Sequence, residues 1–340
     1  MKILAIETTC DETAAAIIGD DLTIFASVVA SQEALHEQYN GVVPEIAARA
    51  HVQRMLPVIQ ETVQNSGLSL SDDIDAIAVA NTPGLAGSLL VGVTAAKALA
   101  LCLDKPLVAI NHLHAHVYAC RLDAGRDVFP CIGMIVSGGH THLYRYTDAL
   151  SPEYLGGTID DAAGEAFDKV ASMLGLPYPG GPAISKIAVD GNAEAHKYPR
   201  SFLKEDRLDF SFSGLKTAVR YSITGPGNIP VDSVELDDQQ KSDIAASFQQ
   251  AVVDCLVTKA LQAVAKHSMN RICVGGGVAA NRVFRQQLQE ACDAKGIELF
   301  IAPLKYCTDN AVMGAIAFEK LKAGLVEDLS VDILPGLVRA

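Results

Sequence analysis

The sequence has eight cysteines but no C-x-x-C pair. Paired cysteines at that spacing are the usual sign of a zinc knuckle or a thiol–disulfide catalyst, so neither is indicated. Most of the cysteines lie in apolar segments, as Cys102, Cys131 and Cys255 do. This distribution predicts buried, reduced thiols and therefore a cytoplasmic protein.

Basic residues are scarce, because 27 Lys and Arg stand against 40 Asp and Glu and give a formal net charge of −13. Nucleic-acid affinity depends on neutralising phosphates, so a strongly acidic chain needs a local basic patch or a basic partner to bind nucleic acid. The best candidate patch is "HKYPRSFLKEDR" at 196–207, with Lys197, Arg200, Lys204 and Arg207. An ordinary solvated loop explains this segment equally well.

Long apolar runs are also missing. The longest, "LLVGVTAAKALALCL" at 89–103, is interrupted by Lys97 and is too short to span a bilayer, so it predicts a core helix. The first residues, "MKILAIETTCDE", pass from a short apolar run straight to acids, which is not the pattern of a signal peptide. We therefore expect no membrane association.

Two similar halves are predicted along the chain, whose 340 residues exceed what one core usually supports. A strand, a polar loop and a second strand occur at 2–18 and again at 131–147. Each half continues with a strand, a turn and a helix, at 74–103 and at 271–292. This alternation predicts an α/β fold with an internal duplication, and the polar segment 121–130 is the expected boundary.

Three of the nine histidines fall in "NHLHAH" at 111–116. On a helix, His112 and His116 share one face and can bind one metal ion, whereas His114 points elsewhere. A zinc protease would need H-E-x-x-H, but Leu113 stands at the glutamate position. Surface histidines that share a face by chance are the alternative, and a third ligand would have to come from another part of the chain.

Glycine-rich turns follow two of the predicted strands. The backbone N–H groups of "VSGGH" at 136–140 could cradle a phosphate, or the segment could be a tight hairpin turn. The segment "GGGVAANR" at 275–282 lacks both the G-x-G-x-x-G spacing and a P-loop lysine. It would admit a flat ligand such as an adenine, with Asn281 bonding a ribose or base edge. Close packing of the strand on the helix explains it equally well.

Acidic side chains occur in two further places. Asp11 and Glu12, in the turn "ETTCDET" at 7–13, could hold a cation or position a nucleophile, or they could simply be solvated. Asp168 lies in an otherwise apolar helical segment. It could bind ribose hydroxyls, or it could pair with Lys169 at the surface.

These motifs together resemble those of one family. Over residues 2 to 325 the chain contains, in this order, "ETTCDETAAAII", "GVVPEIAARAH", "NHLHAH", "VSGGHT", "DDAAGEAFDKVA", "YPGGP", "FSFSGLKTA", "GGGVAANR" and "CTDNAVMGA". The series is similar to that of the bacterial TsaD family, the tRNA N6-adenosine threonylcarbamoyltransferases, formerly described as O-sialoglycoprotein endopeptidases. The resemblance implies the duplicated actin/sugar-kinase/Hsp70-type α/β fold, with two lobes and the active site in the cleft. The lobes expected are 1–125, completed by a C-terminal helix at 309–340, and 126–308.

The resemblance also implies an activity. Members transfer the threonylcarbamoyl group of threonylcarbamoyl-adenylate to N6 of adenosine 37 in tRNAs that read codons beginning with adenine. The implied cofactor is one divalent metal ion, Fe²⁺ with Zn²⁺ as the other candidate, bound by His112, His116 and Asp309. The positions implied to be needed for activity are Asp11 and Glu12. The implied substrate-binding residues are Ile135, Val136, Ser137, Gly138, Gly139, Asp168, Gly181 and Asn281.

The same resemblance implies binding partners, and two other functions are the alternatives to it. The partners implied are tRNA, a TsaB-like paralogue and a TsaE-like ATPase, and we expect the basic segment 197–207 to contribute to the tRNA contact. Ser185 departs from the family pattern, because some members have an aspartate there that touches substrate. A small-molecule kinase of the same fold, using ATP, is the main alternative, and it would not need His112, His116 and Asp309 together. A non-catalytic scaffold would have lost that set.

Overall fold

The computed structural model of the protein describes residues 1–39, 41–226 and 229–336. The chain divides into two compact units. The first unit comprises Met1–Asp127, Asp148–Pro152 and Ala302–Ala340, and the second comprises Val128–Thr147 and Glu153–Ile301. Each unit contains one five-stranded sheet.

Strands and helices are numbered in chain order. The strands are β1 (Lys2–Glu7), β2 (Glu12–Gly19), β3 (Ile24–Ser31), β4 (Ala76–Thr82), β5 (Leu107–Asn111), β6 (Cys131–Val136), β7 (Thr141–Tyr146), β8 (Pro152–Gly157), β9 (Arg271–Gly275) and β10 (Glu298–Ile301). The α-helices are α1 (Glu33–His36), α2 (Pro44–Ser66), α3 (Ala86–Leu103), α4 (His112–Tyr118), α5 (Arg121–Ala124), α6 (Ala163–Met173), α7 (Gly180–Ile187), α8 (Ser213–Thr224), α9 (Asp238–Lys266), α10 (Arg282–Asp293) and α11 (Ala317–Lys322).

The sheet of the first unit has the order β3-β2-β1-β4-β5. Strands β1, β2 and β3 pair antiparallel, whereas β1, β4 and β5 are parallel to one another. Every residue of β4 is buried, as expected for a central parallel strand with helices over the sheet. The hydrophobic core lies between this sheet and helices α2 and α3, and it includes Leu4, Ile77, Val79, Met55 and Val93.

Helix α3 contains the whole apolar run 89–103 that predicted a core helix, and it ends at the same residue. By its length of 18 residues and its mean hydropathy of 1.8, the helix could cross a membrane. Core helices of soluble proteins reach the same length and hydropathy, so the two values do not distinguish the two cases. One face packs on the sheet through residues that include Val93 and Ala96, whereas Leu90 and Leu101 are exposed. One third of the helix is buried, so the prediction of a core helix holds for only one of its faces.

The sheet of the second unit has the order β10-β9-β6-β7-β8. Strand β6 pairs antiparallel with β7 and parallel with β9, and β9 is parallel to β10. Strands β6 to β10 thus take the same places in this sheet as β1 to β5 take in the first, and each sheet joins a three-stranded meander to two parallel strands. This repetition confirms the internal duplication predicted from the two strand–loop–strand patterns.

The C-terminal region differs from the predicted long helix. Residues Ala311–Ile316 form a 3-10 helix that continues into α11, which ends at Lys322. Gly324 takes a left-handed φ of 71°, and Glu327 then pairs with Leu107 in an isolated bridge. The expected helix over 309–340 is therefore too long, because this glycine ends it, and residues 337–340 lie outside the described part of the chain.

The carboxyl ends of the parallel strands position the candidate site of the first unit. Parallel strands end at the same edge of their sheet, and ligands of open α/β sheets bind at that edge. Glu7 is the last residue of β1, and His112 directly follows β5. The 3-10 helix Ala311–Ile316 packs against α4, β1 and β2. Asp309, two residues before this helix, therefore lies near Glu7 and His112.

Candidate metal centre and active site

Helix α4 presents two histidines one turn apart. Its first turn is capped by Asn111, whose Oδ1 accepts hydrogen bonds from the backbone N–H groups of Leu113 (2.9 Å) and His114 (3.3 Å). His112 and His116 are both buried, and their ring centroids lie 4.6 Å apart. The helix predicted from the i, i+4 spacing is present, and both rings lie on one face of it.

Asp309 completes a cluster with these histidines. Its Oδ1 lies 3.1 Å from Nε2 of His116 and 3.4 Å from Nε2 of His112. One ligand atom from each of the three residues lies within 4.8 Å of the other two. The structure thus brings together the three residues that the sequence resemblance implied as a metal set.

Glu7 and Thr9 stand behind His112, and sequence reasoning did not identify either of them. Oε2 of Glu7 and Oγ1 of Thr9 each lie 3.1 Å from Nδ1 of His112. Glu7 is itself fixed, because its Oε1 accepts a hydrogen bond of 2.6 Å from the backbone N–H of Thr9. The available signal was the position of Glu7, an acid that ends a buried strand directly before the polar turn.

The cluster fits a divalent metal ion. Two imidazole nitrogens and one carboxylate are donors that Fe²⁺ and Zn²⁺ both accept. A carboxylate on the far nitrogen of a ligating histidine fixes the ring and its tautomer, and Glu7 stands in that position for His112. Nδ1 of His116 is buried and has no hydrogen-bond partner among the described residues, so that ring is oriented by packing and by the contact of its Nε2 with Asp309.

The two carboxylates change the protonation of His112. Burial by itself lowers the pKa of this imidazole, but the charges of Asp309 and Glu7 more than offset burial and raise the pKa to about 9. Without a metal, the ring is therefore an imidazolium at neutral pH, with carboxylates facing both of its nitrogens. A positive charge is favoured at this point whether a proton or a metal ion supplies it.

Asp11 and Glu12 lie in the β1–β2 turn and at the start of β2, and both are half-buried. The pKa of Glu12 is raised well above its usual range by burial, by the charges of Asp309 and Asp11, and by a hydrogen bond with Asp11. This environment therefore favours the protonated form of Glu12. Burial and the same acids also raise the pKa of Cys10, which keeps this thiol neutral and unreactive.

His51, on helix α2, holds the acidic turn from behind and was not identified from the sequence. Its Nε2 lies 3.0 Å from the carbonyl oxygen of Cys10, and its Nδ1 lies 2.8 Å from Oγ1 of Thr13. A carbonyl can only accept, so Nε2 carries the proton and Nδ1 accepts from the threonine hydroxyl. Burial lowers the pKa of His51, which keeps it in this neutral form.

His114 lies on the other side of α4. It lines a separate cavity of about 150 Å³ together with Ile110, Leu150 and Lys320. Burial lowers the pKa of His114 to about 4, so the ring is neutral at physiological pH. His114 is therefore not part of the His112, His116 and Asp309 cluster.

In the second unit, the turn between β6 and β7 carries Ser137, Gly138 and Gly139. The carbonyl oxygens of Ser137 and Gly138 accept hydrogen bonds of 3.1 Å from the first N–H groups of α6, those of Gly164 and Glu165. In a trans peptide the N–H points opposite to the C=O, so the amides of Gly138 and Gly139 point away from α6. A Cβ on either glycine would meet nothing within 4 Å, so the space beside this turn is open.

Ile135 and Val136 are the last two residues of β6 and are fully buried. Their side chains belong to the core, and their contribution to a ligand would come from the backbone at the strand end. Gly276 follows β9 with a left-handed φ of 98°, and a Cβ there would collide with the carbonyl of Val136. This glycine allows the second glycine-rich turn to lie directly beside the first.

Asp168 and Gly181 lie close in space. Oδ1 of Asp168 accepts a hydrogen bond of 2.7 Å from the backbone N–H of Gly180, at the first residue of α7. A Cβ on Gly180 would collide with the backbone of α6 at Phe167 and Asp168, which shows how closely the two helices approach. Gly181 faces open space. One oxygen of Asp168 is thus committed to the start of α7.

The Asn281 side chain already has several partners. Its Oδ1 caps α10 by accepting from the N–H of Phe284 (3.0 Å), and its Nδ2 donates to Ser185 (3.0 Å) and to Gln249 (2.8 Å). Ser185 also donates to Gln249, at 2.9 Å. Sequence reasoning treated Asn281 only as a ligand contact, whereas the structure also gives it the role of a helix cap.

The basic segment is less uniform than its sequence suggested. Arg200 forms a salt bridge with Asp254 at 2.8 Å and is largely committed to it, whereas Lys197 and Lys204 are exposed. Arg207 pairs with Asp209 at 2.9 Å and remains 41% exposed. The exposed part of the segment is therefore centred on Lys204 and Arg207.

Sequence comparison gives strong matches over nearly the whole chain. The sequence model of the family "tRNA N6-adenosine threonylcarbamoyltransferase", TsaD, matches residues 23–316. A protein of that name from Rhodopirellula baltica is 57% identical over 348 aligned residues, covering 99% of this chain and 97% of the relative. Another from Moorella thermoacetica is 46% identical and covers 99% of this chain and 96% of the relative.

Structural comparison gives more distant matches. Full-length HypF in its phosphate- and nucleotide-bound form superposes with a TM-score of 0.61 at 16% identity, over 94% of this chain and 46% of HypF. Component A of the (R)-2-hydroxyglutaryl-CoA dehydratase from Acidaminococcus fermentans gives a TM-score of 0.54 at 15% identity, over 95% of this chain and 99% of its own. At such identities these matches concern the fold alone, and the predicted duplicated actin/sugar-kinase/Hsp70-type fold is confirmed.

Proposed function

Because the chain belongs to the TsaD family of tRNA N6-adenosine threonylcarbamoyltransferases, we propose that it transfers the threonylcarbamoyl group of threonylcarbamoyl-adenylate to N6 of adenosine 37 in tRNAs that read codons beginning with adenine. The observation that carries the proposal is the cluster of His112, His116 and Asp309, with Glu7 behind His112. A kinase of the same fold has no need of that cluster.

The reaction sets three tasks for the protein. The N6 amine of adenosine attacks the carbamoyl carbon, a C–N bond forms, the bond from that carbon to the phosphate oxygen breaks, and AMP leaves. The amine is a poor nucleophile and must lose a proton, whereas the donor is an activated mixed anhydride. The protein must therefore align the two substrates, stabilise the charge that develops and accept the proton.

The first unit would bind the threonylcarbamoyl end of the donor. His112, His116 and Asp309 would hold the metal ion, Fe²⁺ or Zn²⁺, which when bound supplies a Lewis acid for the carbonyl oxygen. Glu7 keeps the His112 ring turned toward Asp309 by bonding its far nitrogen. These residues thus form the site before substrate arrives, which lowers the cost of ordering it.

The second unit would bind the adenylate. The N–H groups of Gly138 and Gly139 point away from α6 into open space and would donate to the phosphate of the leaving AMP. Gly181 and the Asp168 carboxylate would contact the nucleoside. Asn281 would reach it only by exchanging one of its present hydrogen bonds, since both of its amide ends already have partners.

The acidic turn would handle the proton. Because the raised pKa of Glu12 favours its protonated form, we assign it within the pair as the hydrogen-bond donor rather than the base. We assign the role of proton acceptor to the Asp11 carboxylate, with Glu12 bonded to it. His51 holds this turn through Cys10 and Thr13.

The proposed partners are tRNA, a TsaB-like paralogue and a TsaE-like ATPase, which are the ones that the family resemblance implies. The net charge of −13 supports a need for help with a polyanionic substrate, because an acidic surface repels phosphate. We place the enzyme in the cytoplasm, where its tRNA would be found.

The test is a reconstituted modification assay. Unmodified tRNA is incubated with the full chain, its two partner proteins and synthetic threonylcarbamoyl-adenylate, and the digested nucleosides are weighed by mass spectrometry. Threonylcarbamoyl-adenosine is expected with the wild-type chain and is expected to fall at least about 100-fold with His116→Asn, in line with the loss of a metal ligand. The matched control is His114→Asn, on the same helix but facing the other cavity, which should retain most of the activity.

Two outcomes would contradict the proposal. No modified adenosine from a mixture whose partners are active would exclude the transferase, and ATP-dependent phosphorylation of a small molecule would then favour the kinase. Equal activity of His116→Asn and wild type would leave the transferase standing but would remove the cluster from its mechanism.

A further inference from the structure

A buried lysine organises the backbone of the segment Phe202–Arg207 in the second unit. Lys259, on α9, is only 1% exposed. Its Nζ donates to the carbonyl oxygens of Phe202 (2.6 Å), Glu205 (3.2 Å) and Arg207 (2.6 Å). Burial lowers the pKa of this ammonium, and the three carbonyl dipoles satisfy its hydrogen-bonding capacity.

Two further side chains of α9 continue this pattern. Nε2 of Gln262 donates to the carbonyl of Leu203 at 3.1 Å, and Nζ of Lys266 donates to the carbonyl of Asp206 at 2.9 Å. Lys259, Gln262 and Lys266 are spaced i, i+3 and i+7, so they lie on one face of the helix. Five carbonyls of one short segment are therefore turned toward α9.

The direction of these carbonyls fixes the direction of the amides. All peptide bonds in this segment are trans, and in a trans peptide the N–H points opposite to the C=O. The carbonyls of Glu205, Asp206 and Arg207 point at α9, so the next three N–H groups, those of Asp206, Arg207 and Leu208, point away from it. None of these three amides donates to an acceptor elsewhere in the described residues. Consecutive amides that share one direction form an anion-binding concavity.

The charged side chains around these amides are mixed in sign. Lys204 and Arg207 are exposed, and the Arg207 guanidinium lies 4.2 Å from the centre of the Phe202 ring, which limits its motion. Asp206 is paired with Lys266 at 3.3 Å and Arg207 with Asp209 at 2.9 Å, whereas Glu205 is an exposed carboxylate in the same loop. Net charge alone would not attract an anion here, so the amides and the two cations must act together.

We propose that the segment Lys204–Leu208 is a contact surface for the phosphate backbone of the tRNA, formed by the amides of Asp206, Arg207 and Leu208 with the side chains of Lys204 and Arg207. This inference rests on the proposed function, because it takes tRNA as the polyanion. Lys259 acts as a positioning residue, since it holds the carbonyls and so turns the amides away from α9. Backbone amides and Lys or Arg side chains are common donors to nucleic-acid phosphates, and they position the nucleic acid without reading its sequence.

The first test measures tRNA binding by the full chain in its complex with the partner proteins, over a salt series. Lys204→Gln is expected to weaken binding several-fold and to reduce the slope of log Kd against log salt by about 1, the effect of losing one phosphate contact. Glu205→Gln should strengthen binding, because it removes the opposing charge. Lys295→Gln, an exposed lysine of the same unit outside this segment, is the matched control and should change neither quantity by as much.

The second test reads the amides directly and does not depend on a variant that folds. Hydrogen–deuterium exchange of the wild-type complex should show protection of the peptide covering 204–208 when unmodified tRNA is added. Lys259→Met should abolish that protection. The melting temperature of Lys259→Met separates a local release of the loop from general unfolding.

The outcomes separate this proposal from the proposed function. If tRNA binds and is modified while the peptide 204–208 stays unprotected and Lys204→Gln matches Lys295→Gln, the surface is wrong and the transferase stands. If wild type neither binds nor modifies tRNA, both fail. Protection together with a reduced salt slope in Lys204→Gln supports both.

Discussion

Oε2 of Glu7 lies 3.1 Å from Nδ1 of His112, and the two residues stand at the carboxyl ends of the parallel strands β1 and β5. The carboxylate accepts a hydrogen bond from Nδ1, which leaves Nε2 facing Asp309. A strand end thus decides which nitrogen of His112 is offered to a metal ion. The same carboxylate is held by the N–H of Thr9, so its orientation is set by the turn that follows β1.

Glu7→Gln should weaken metal binding by about 10- to 100-fold, which is the usual effect of losing such a carboxylate partner. The amide would donate to Nδ1 of His112, or else leave it unpaired, and a donor at that position favours the tautomer whose Nε2 carries the proton. Isothermal titration with Zn²⁺ and metal analysis after dialysis would measure the effect. Glu61→Gln, an exposed acid on α2, is the control and should bind as wild type does. Equal affinity in both variants would contradict the role of Glu7.

Metal binding should release a proton and should strengthen as the pH rises. Without metal the pKa of His112 is about 9, so at pH 7 the ring is protonated and the ion must displace that proton. Because the ion displaces one proton, the affinity for the metal should rise about tenfold per pH unit below pH 9 and level off above it. Calorimetry in buffers of different ionisation enthalpy counts the released protons. If metal binding released no proton between pH 7 and 8, His112 would already be neutral in that range.

The sequence predicted one part of this site well and another part not at all. The i, i+4 spacing of His112 and His116 is a local property of a helix, so it could be recognised directly. Asp309 lies 193 residues beyond His116, and no spacing rule connects them, so only the family resemblance placed it in the set. Glu7 and His51 were missed because their roles depend on tertiary contacts to other side chains rather than on any local pattern.

The fold shows the same division. The strand–loop–strand repeat predicted the duplication because each sheet begins with a meander of consecutive strands, whose pairing is local. The long C-terminal helix was wrong in its length, because Gly324 takes a left-handed φ of 71° and the helical segment ends at Lys322. Within that segment Gly314 lies so close to Ala5 of β1 that an added Cβ would collide with it, a contact between opposite ends of the chain that no local pattern predicts.

Glu12→Gln should stabilise the metal-free protein above about pH 5. The folded pKa of Glu12 is raised, mainly by burial, so the folded state holds a proton that the unfolded chain releases. A carboxyl of this kind makes stability fall as the pH rises from its unfolded pKa, about 4.3, toward its folded pKa, with a slope of up to about 1.4 kcal/mol per pH unit. Gln resembles the protonated acid and removes that slope.

Urea denaturation of both proteins between pH 4.5 and 8, with a chelator present, would measure this difference in the free energy of unfolding. The gap between Glu12→Gln and wild type should widen as the pH rises. Glu61→Gln is again the control, because an exposed glutamate should add no such gap. A gap that narrows with pH would show that Glu12 is ionised in the folded state.

His51 should affect turnover without affecting metal binding, because it holds the turn that carries Asp11 and Glu12 and does not contact the cluster. His51→Ala removes both hydrogen bonds and should lower kcat about tenfold or more, with a loss of about 1 to 3 kcal/mol in stability from the carbonyl and hydroxyl left unpaired. His51→Gln keeps one donor and one acceptor and should recover part of kcat. Thr13→Val removes only the bond to Nδ1 and should fall between wild type and His51→Ala.

The measurement that separates positioning from general damage is the comparison of kcat with the Zn²⁺ affinity of the same preparations. A misplaced acidic turn lowers kcat and leaves the His112, His116 and Asp309 cluster intact, whereas unfolding of the first unit lowers both together. If His51→Ala lost metal affinity in proportion to kcat, its effect would be structural. If it retained full kcat, the position of the acidic turn would not limit the reaction, and the assignment of Asp11 as proton acceptor would lose its support.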